Sequence, residues 1–131
     1  MSEFKGTPGP WFTGEDDDCE TIYASDNGKQ YDEANIVKVA IIMRDDGDYQ
    51  KMEADARLIA AAPDLLEACQ TFAEWLRRES AGSTNEPWAG KRDTPEGEAA
   101  WREWYDENLR ICDLAQEQVR AAIAKATGET P

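Results

Sequence analysis

Three tryptophans stand close to several arginines in the second half of the chain, and this combination is typical of nucleotide binding. Trp88, Trp101 and Trp104 offer flat aromatic faces on which a base stacks, and guanidinium groups pair with phosphates. Tyr105 and Arg110 follow on the same predicted helix. Aromatic residues at heptad spacing also pack in helical cores, and packing is their commoner role. The sequence leaves both interpretations open.

Arg57 is a second candidate, because it is a basic residue among the alanines of an earlier predicted helix. Such a side chain extends into solvent, pairs with a carboxylate or pairs with an anionic ligand. Surface pairing is its ordinary fate. The hypothesis that we carry forward places it with the aromatic and basic residues above in one ligand site. The predicted ligand-binding residues are Arg57, Trp88, Trp101, Tyr105 and Arg110.

Acidic clusters suggest two metal sites, and neither pattern is complete. Asp45 to Asp48 resembles the start of a calcium loop, but the twelfth position, where a glutamate ligand belongs, is Ala56. Four acids on the last predicted helix are the kind that hold magnesium in helical nucleotide hydrolases, yet the partner helix has no matching acidic set. These four are Glu103, Asp106, Glu107 and Asp113. We predict a solvated acidic face, with no metal and no cofactor.

Catalytic residues are hard to find in this chain. It has no histidine, which removes the commonest general base and the commonest transition-metal ligand. Cys19, Cys69 and Cys112 are odd in number and far apart, which argues against a disulfide framework and a zinc ribbon. The sequence places no activating base beside any of these thiols. We therefore predict that the protein is not an enzyme.

The net charge of −14 over 131 residues restricts the partners. Its field repels phosphate backbones over about 8 Å at physiological salt, which disfavours nucleic acid and anionic membranes. Basic protein surfaces and small ligands in a shielded pocket remain open. A hydrophobic fraction of 40% fits one globular domain over residues 1–131. The chain shows neither a signal-peptide pattern nor an apolar run of about 20 residues, so we expect a cytoplasmic protein.

The first half predicts a small antiparallel sheet of three to four strands within residues 8–44. Pro10 fits the start of an edge strand, because proline is tolerated there and not in a central strand. Residues 21–24 form a second strand, and Asn27-Gly28 favours a tight turn that returns through residues 30–31. The strongest strand covers residues 35–43. Its apolar end, Ile41 to Met43, predicts burial on both faces, by helices on one side and by a loop or another subunit on the other.

The second half predicts a helical hairpin over residues 53–127, with a loop at residues 80–95. Pro63 lies inside the apolar run of the first arm, so the helix must kink at Ala62 or restart with the proline in its first turn. Thr94 and Pro95 supply an N-cap and a first-turn proline for the last helix. The fold class is therefore α+β.

A heptad pattern on the last helix predicts the seam that faces the partner arm. Its members are Trp101, Tyr105, Asn108, Cys112, Ala115, Val119, Ala122 and Ala126. A neighbouring apolar set, which includes Trp104 and Ile111, widens the stripe beyond one contact. These additional apolar residues predict a second contact surface, and hence a homo-oligomer that associates through the helices.

Two motifs carry a resemblance to a known family. The segment Gly6-Thr7-Pro8-Gly9-Pro10-Trp11 and the helical segment 55–68, DARLIAAAPDLLEA, resemble a widespread family of small tailed-phage and prophage accessory proteins, as does the alanine-rich closing helix at residues 120–126. The order of a sheet followed by two helical arms is also similar to that of oligomeric sponges that sequester cyclic nucleotide signals of the Thoeris and related defence systems.

The resemblance implies a phage protein that acts in the host bacterial cytoplasm and counters host defence by binding. Sequestration of a nucleotide immune signal is its most concrete version. The alternative is an acidic mimic of nucleic acid that binds a basic surface of a host defence protein, with charge from Glu15 to Asp18 and from Asp45 to Asp48. A third hypothesis is a magnesium-dependent hydrolase that uses Glu103 on the last helix.

Overall fold

The computed structural model describes residues 4–16, 19–25, 36–43, 49–80 and 88–129. Within them, three antiparallel strands are followed by three helices, which confirms the α+β class. The elements are β1 (Trp11–Asp16), β2 (Cys19–Ser25), β3 (Ile36–Met43), α1 (Tyr49–Ala60), α2 (Ala62–Ser80) and α3 (Pro95–Thr127). The predicted turn at residues 27–28, the return at residues 30–31 and the acidic run at residues 45–48 lie outside the described residues.

The described strands form one sheet in the order β1-β2-β3. Both pairings are antiparallel, and the register of β2 against β3 shifts at Ile22 and Tyr23. β1 is at an edge, as predicted from Pro10, which lies just before it. The central position of β2 explains why Ile22 and Ala24 are both buried.

Helix α1 packs on this sheet through small side chains. Ala56 and Ala60 are buried one turn apart and form a core cluster with Ile22. Trp11 of β1 and Ile42 of β3 pack against the same cluster. Alanine allows the helix backbone to approach the strands closely, so Ile22 fills most of the space between the two layers.

Strand β3 is covered on one face among the described residues. Its apolar end was predicted to be buried by helices on one side and by a loop or another subunit on the other, and Ile41 is 47% exposed, with Ile36 and Val37 exposed as well. Helix α1 covers one face of the sheet, and alternate side chains of β3 point away from it. Cover of the other face by a loop or by another subunit stays a prediction.

The proline joint is present where the sequence predicts it. α1 ends at Ala60, α2 begins at Ala62, and Pro63 is in the first turn of the new helix. Gly9 of the N-terminal motif lies against this proline, since a Cβ built on Gly9 would come within 2.6 Å of Pro63 Cβ. The two motifs that carry the family resemblance thus meet at one packing contact.

Contacts divide the chain into two units, and each is described by itself. The sheet unit comprises residues 1–66 and 120–131, and the hairpin unit comprises residues 67–119. The hairpin unit is an antiparallel pair made by α2 and α3, because Arg78 contacts Trp104 and Asn108 at one end while Gln118 contacts Glu67 at the other.

The start of α3 confirms the predicted cap. The backbone N–H of Gly97 donates to Thr94 Oγ1 at 3.0 Å, and Pro95 occupies the first helical position. Such a side chain satisfies one of the N–H groups that have no partner in the helix.

We expect Thr94→Ala to lower the free energy of unfolding by about 1 kcal/mol, because the Gly97 N–H then loses its acceptor. Urea denaturation followed by circular dichroism measures the change. Thr71→Ala is the matched control, since the Thr71 hydroxyl donates to the Glu67 carbonyl in the middle of α2, where no free N–H depends on it. Equal losses from the two variants would show that the Thr94 cap adds nothing.

The heptad seam is partly as predicted. Asn108, Ala115 and Ala122 are buried, but Tyr105 and Val119 are 44% and 38% exposed. The structure buries Ile111 instead and half-buries Trp104. The buried stripe of α3 is thus turned toward the neighbouring apolar set, which leaves part of the predicted seam on the surface.

Candidate functional site

The first aromatic group of the hairpin unit lies on the first turns of α3. Trp101 and Tyr105 stack with ring centroids 5.1 Å apart, because residues four apart share a helix face. The guanidinium carbon of Arg92 lies 3.8 Å from the centroid of the Trp101 ring. A base could stack on that face of Trp101 only by displacing Arg92, since the cation already covers it.

The second aromatic group connects Trp88, which precedes α3, to residues of both α2 and α3. Trp88 and Trp104 meet edge to face at 5.6 Å, and Arg78 of α2 lies 5.6 Å from the Trp104 ring. Arg78 Nη2 donates to the Trp104 carbonyl at 3.1 Å. The indole N–H groups of Trp88 and Trp104 are buried without a hydrogen-bond partner among the described residues.

Asn108 connects this group to the end of α2. Its side-chain oxygen accepts from Arg78 Nε at 3.2 Å, and its amide nitrogen donates to the carboxylate of Glu79. Asn108 is buried, whereas Glu79 is exposed. A polar residue in an apolar seam holds two helices in one register when its hydrogen bonds are satisfied.

Arg110, the last predicted ligand residue on α3, is held by a carboxylate. Its guanidinium donates to both carboxylate oxygens of Glu107, at 2.9 and 2.6 Å. These hydrogen bonds lower the pKa of Glu107 and raise the pKa of Arg110. Arg77 lowers the pKa of Glu74 by the same kind of contact. Bidentate pairing uses two of the five N–H donors of Arg110 and offsets its charge, which makes Arg110 a weaker partner for a phosphate.

All five arginines of the hairpin unit have partners within it, and four of them pair with a carboxylate. Arg77 pairs with Glu74 and Arg110 with Glu107, whereas Arg78 donates to Asn108 and Trp104. The remaining two share Glu98, with contacts of 3.5 Å to Arg92 and 3.4 Å to Arg102. Arg110, which is the cation of the predicted ligand site that lies in the hairpin unit, is thus already paired with a carboxylate.

Arg57 belongs to the sheet unit, where it lines two small cavities. It pairs with Glu53 at 3.6 Å, and its side chain also packs against Gly128. One cavity, of about 170 Å³, is bounded by Arg57, Lys125 and aromatic residues of β1. Lys125 is not among the residues predicted from the sequence, and its position near the end of α3 is the signal that could have found it.

The predicted ligand residues are therefore divided between the units. Trp101 and Tyr105 form one stacked pair, while Trp88 contacts Trp104. Arg57 is in the sheet unit, and the other four are in the hairpin unit. Arg78 was missed, although a basic residue on the helix that faces Asn108 is the signal that could have found it.

An open cleft of about 840 Å³ lies along α3 in the hairpin unit. Its walls carry three acids and two arginines, and both arginines have the partners described above. The lining residues are Arg78, Ala100, Glu103, Trp104, Asp106, Glu107 and Arg110. The side chains left free along the cleft are acidic.

These acids belong to a longer stripe on α3. Positions three, four or seven residues apart share one side of a helix. The acidic stripe consists of Glu96, Glu103, Asp106, Asp113 and Glu117, all exposed and none ion-paired within the described residues. It extends over roughly 30 Å at 1.5 Å per residue. No group of His, Cys, Asp and Glu in the described part of the chain is arranged to hold a metal ion.

Comparison with known protein families shows which family the chain belongs to. The model of the Salmonella phage P22 protein Y8K6 family matches residues 1–130. The chain belongs to this family. No curated protein and no solved structure gives a significant match. Membership identifies a phage protein, as the two motifs predicted, and the similarity to nucleotide-sequestering sponges stays a prediction. None of the helices in the described residues has the length and hydropathy needed to span a bilayer.

Proposed function

We propose that this phage protein is a non-enzymatic binding protein that counters host defence by occupying a basic, nucleic-acid-binding surface of a host defence protein. The observation that carries the proposal is the acidic stripe of α3. It is a row of exposed carboxylates on one helix, and Arg110 beside it is already paired with Glu107. A partner would meet the row as fixed negative charge, which is what a phosphate backbone presents.

The charge of the whole chain supports the same interpretation. A net charge of −14 attracts a basic surface from a distance and repels nucleic acid from the protein itself. The stripe then provides local complementarity once the surfaces meet. This proposal places the protein in the cytoplasm of the infected host, where such a partner would be found.

The experiment uses host strains that each carry one defence system, challenged with a phage that the system blocks. We expect the wild-type chain to restore plaques by at least ~100-fold against a system with a nucleic-acid-binding component. Glu103→Gln with Glu117→Gln should abolish the rescue, because both carboxylates are on the exposed stripe. Asp55→Asn with Glu129→Gln is the control, since it removes the same charge from exposed positions of the sheet unit.

Binding to the purified component should weaken steeply with salt, by about tenfold or more between 0.1 and 1 M, because the Debye length falls from about 10 to 3 Å. Equal rescue by the two double variants would rule out the stripe as the binding surface. Rescue of no system at all would reject an anti-defence role.

Nucleotide sequestration is a second candidate, and the cavity beside Arg57 is the observation that favours it. Arg57 and Lys125 border this cavity together with Trp11 and Phe12, and each cation also pairs with a carboxylate, Arg57 with Glu53 at 3.6 Å and Lys125 with Asp64 at 2.8 Å. At about 170 Å³ it is smaller than the 300–1,000 Å³ of usual ligand pockets, so it fits a phosphate rather than a whole nucleotide.

Calorimetry with a panel of cyclic nucleotides separates the two candidates. Sequestration predicts heat of binding that Arg57→Ala removes, whereas the acidic-surface proposal predicts none. The hydrolase hypothesis is tested on the same panel by phosphate release. Turnover that Glu103→Gln abolishes would replace both binding proposals.

A further inference from the structure

The hairpin unit has an apolar face, which we define by its large exposed residues: Phe72 and Leu76 of α2, and Tyr105, Leu109 and Val119 of α3. Each of these side chains is between 38% and 47% exposed. Exposed Cys69 and Ala73 continue the row on α2. A chain with 32% charged residues has little reason to leave such a row open to water.

The two rows lie on the same side of the hairpin. Successive residues of a helix are rotated by about 100° about its axis. On each helix, the exposed row lies about a quarter turn around the axis from the buried stripe, in the sense in which the residue number increases. Because the helices are antiparallel, the same displacement on both brings the rows to one side. Two members of the acidic stripe, Asp106 and Asp113, lie at the outer edge of that side, whereas the residues of the apolar face itself are uncharged.

We infer that this face is covered by a second copy of the chain, in a two-fold dimer that forms a four-helix bundle. The large side chains, with Cys69, Ala73 and Cys112 between them, expose on the order of 500 Å² of apolar surface. A standard interface buries about 800 Å² per partner, of which about 60% is apolar. The face therefore supplies the apolar area that a stable dimer requires.

The polar residues at the two edges, or rims, of the apolar face in one copy are complementary to those of the second copy. A two-fold axis parallel to the helices places α2 of one copy over α3 of the other at the same height. The contacts of Arg78 with Asn108 and of Glu67 with Gln118 fix which residues of α2 and α3 are level. On that scale, Arg77 of one copy, which also pairs with Glu74 of its own helix, stands within about 3 Å of the height of Asp106 of the other.

A second polar match follows from the same geometry. Gln70 of one copy stands level with Asp113 of the other, again within about 3 Å. Phe72 then lies over Cys112, a large side chain over a small one, and Leu76 lies over Leu109. No like charges meet along either rim, so a second copy fits the face despite the acidic charge of the chain.

Sedimentation equilibrium of the full chain tests the inference. We expect a mass of twice 14.7 kDa at micromolar concentration. Leu109→Glu should raise the dissociation constant about 30-fold or more, because a charge is buried at the centre of the interface. Leu114→Glu is the matched control: Leu114 is also exposed on α3, but it points away from the apolar face.

A charge exchange tests the predicted register. Arg77→Glu and Asp106→Arg should each weaken the dimer several-fold, and the double variant should recover the part of that loss that comes from the contact between the copies, since Arg77→Glu also removes the pair with Glu74. Circular dichroism of each variant as a monomer checks that the helices remain folded. A monomeric wild type, equal effects of the two leucine variants, or a mass that keeps growing with concentration would each overturn the dimer. No recovery in the double variant would overturn its register.

Discussion

Ile22→Ala should lower the free energy of unfolding by about 2–5 kcal/mol, toward the upper part of that range. Ile22 is fully buried, with 0% of its surface exposed. Its neighbours in the core cluster are Ala56 and Ala60, whose methyl groups cannot extend into the space that the substitution leaves. The cavity would therefore persist, and persistent cavities are the costly ones.

Urea denaturation followed by circular dichroism measures this loss, and hydrogen exchange of the β2 amides locates it in the sheet unit. Ile41→Ala removes the same atoms from the neighbouring strand at a position that is 47% exposed. It should cost less than about 1 kcal/mol. If Ile41→Ala costs as much as Ile22→Ala, a partner covers the outer face of β3, and the core between α1 and the sheet is less important than its burial indicates.

Local signals predicted the elements of this fold well. Pro63 ends one helix and begins another because proline lacks an N–H, and Thr94 caps α3 because its hydroxyl accepts from Gly97. Each of these effects depends on residues within one turn of the chain. The sequence therefore contains what is needed to predict them.

Nonlocal burial was harder to predict. The seam proposed for α3 lies between the stripe that packs on α2 and the exposed apolar row. Both stripes are apolar and adjacent, so periodicity finds their average and does not say which one faces the partner helix. Ile41 shows the same difficulty in a strand, because apolar residues on an uncovered face look like residues of a buried one.

Only the contacts of the candidate site between residues one helical turn apart were predictable from the sequence. Spacing alone predicts that Trp101 and Tyr105 share a helix face, and the structure stacks them. Pairing of Arg110 with Glu107 is equally local, because the two residues are three apart on one helix. Arg57 was grouped with residues far away in sequence, and no pattern within one chain fixes such a grouping.

Asn108→Ala should lower the free energy of unfolding by about 1–3 kcal/mol, since it removes two hydrogen bonds between the helices of the hairpin unit. Arg78 Nε would lose its acceptor, and the carboxylate of Glu79 would lose its donor. Arg78 keeps its contact with the Trp104 carbonyl, so the helices stay antiparallel but lose the polar contact that fixes their register.

Helical signal during urea denaturation measures the loss, and hydrogen exchange of the α2 and α3 amides locates it. Gln118→Ala is the matched control, because Gln118 also links the two helices, through a 3.2 Å hydrogen bond to Glu67 at the other, exposed end. That variant should cost less than about 0.5 kcal/mol. If the two variants lower the free energy of unfolding equally, the hydrogen bonds of buried Asn108 stabilise the protein no more than the exposed one of Gln118. If only Asn108→Ala loosens α2 against α3, the contact between Arg78 and Asn108 sets the register from which the level of Arg77 and Asp106 in the dimer was derived.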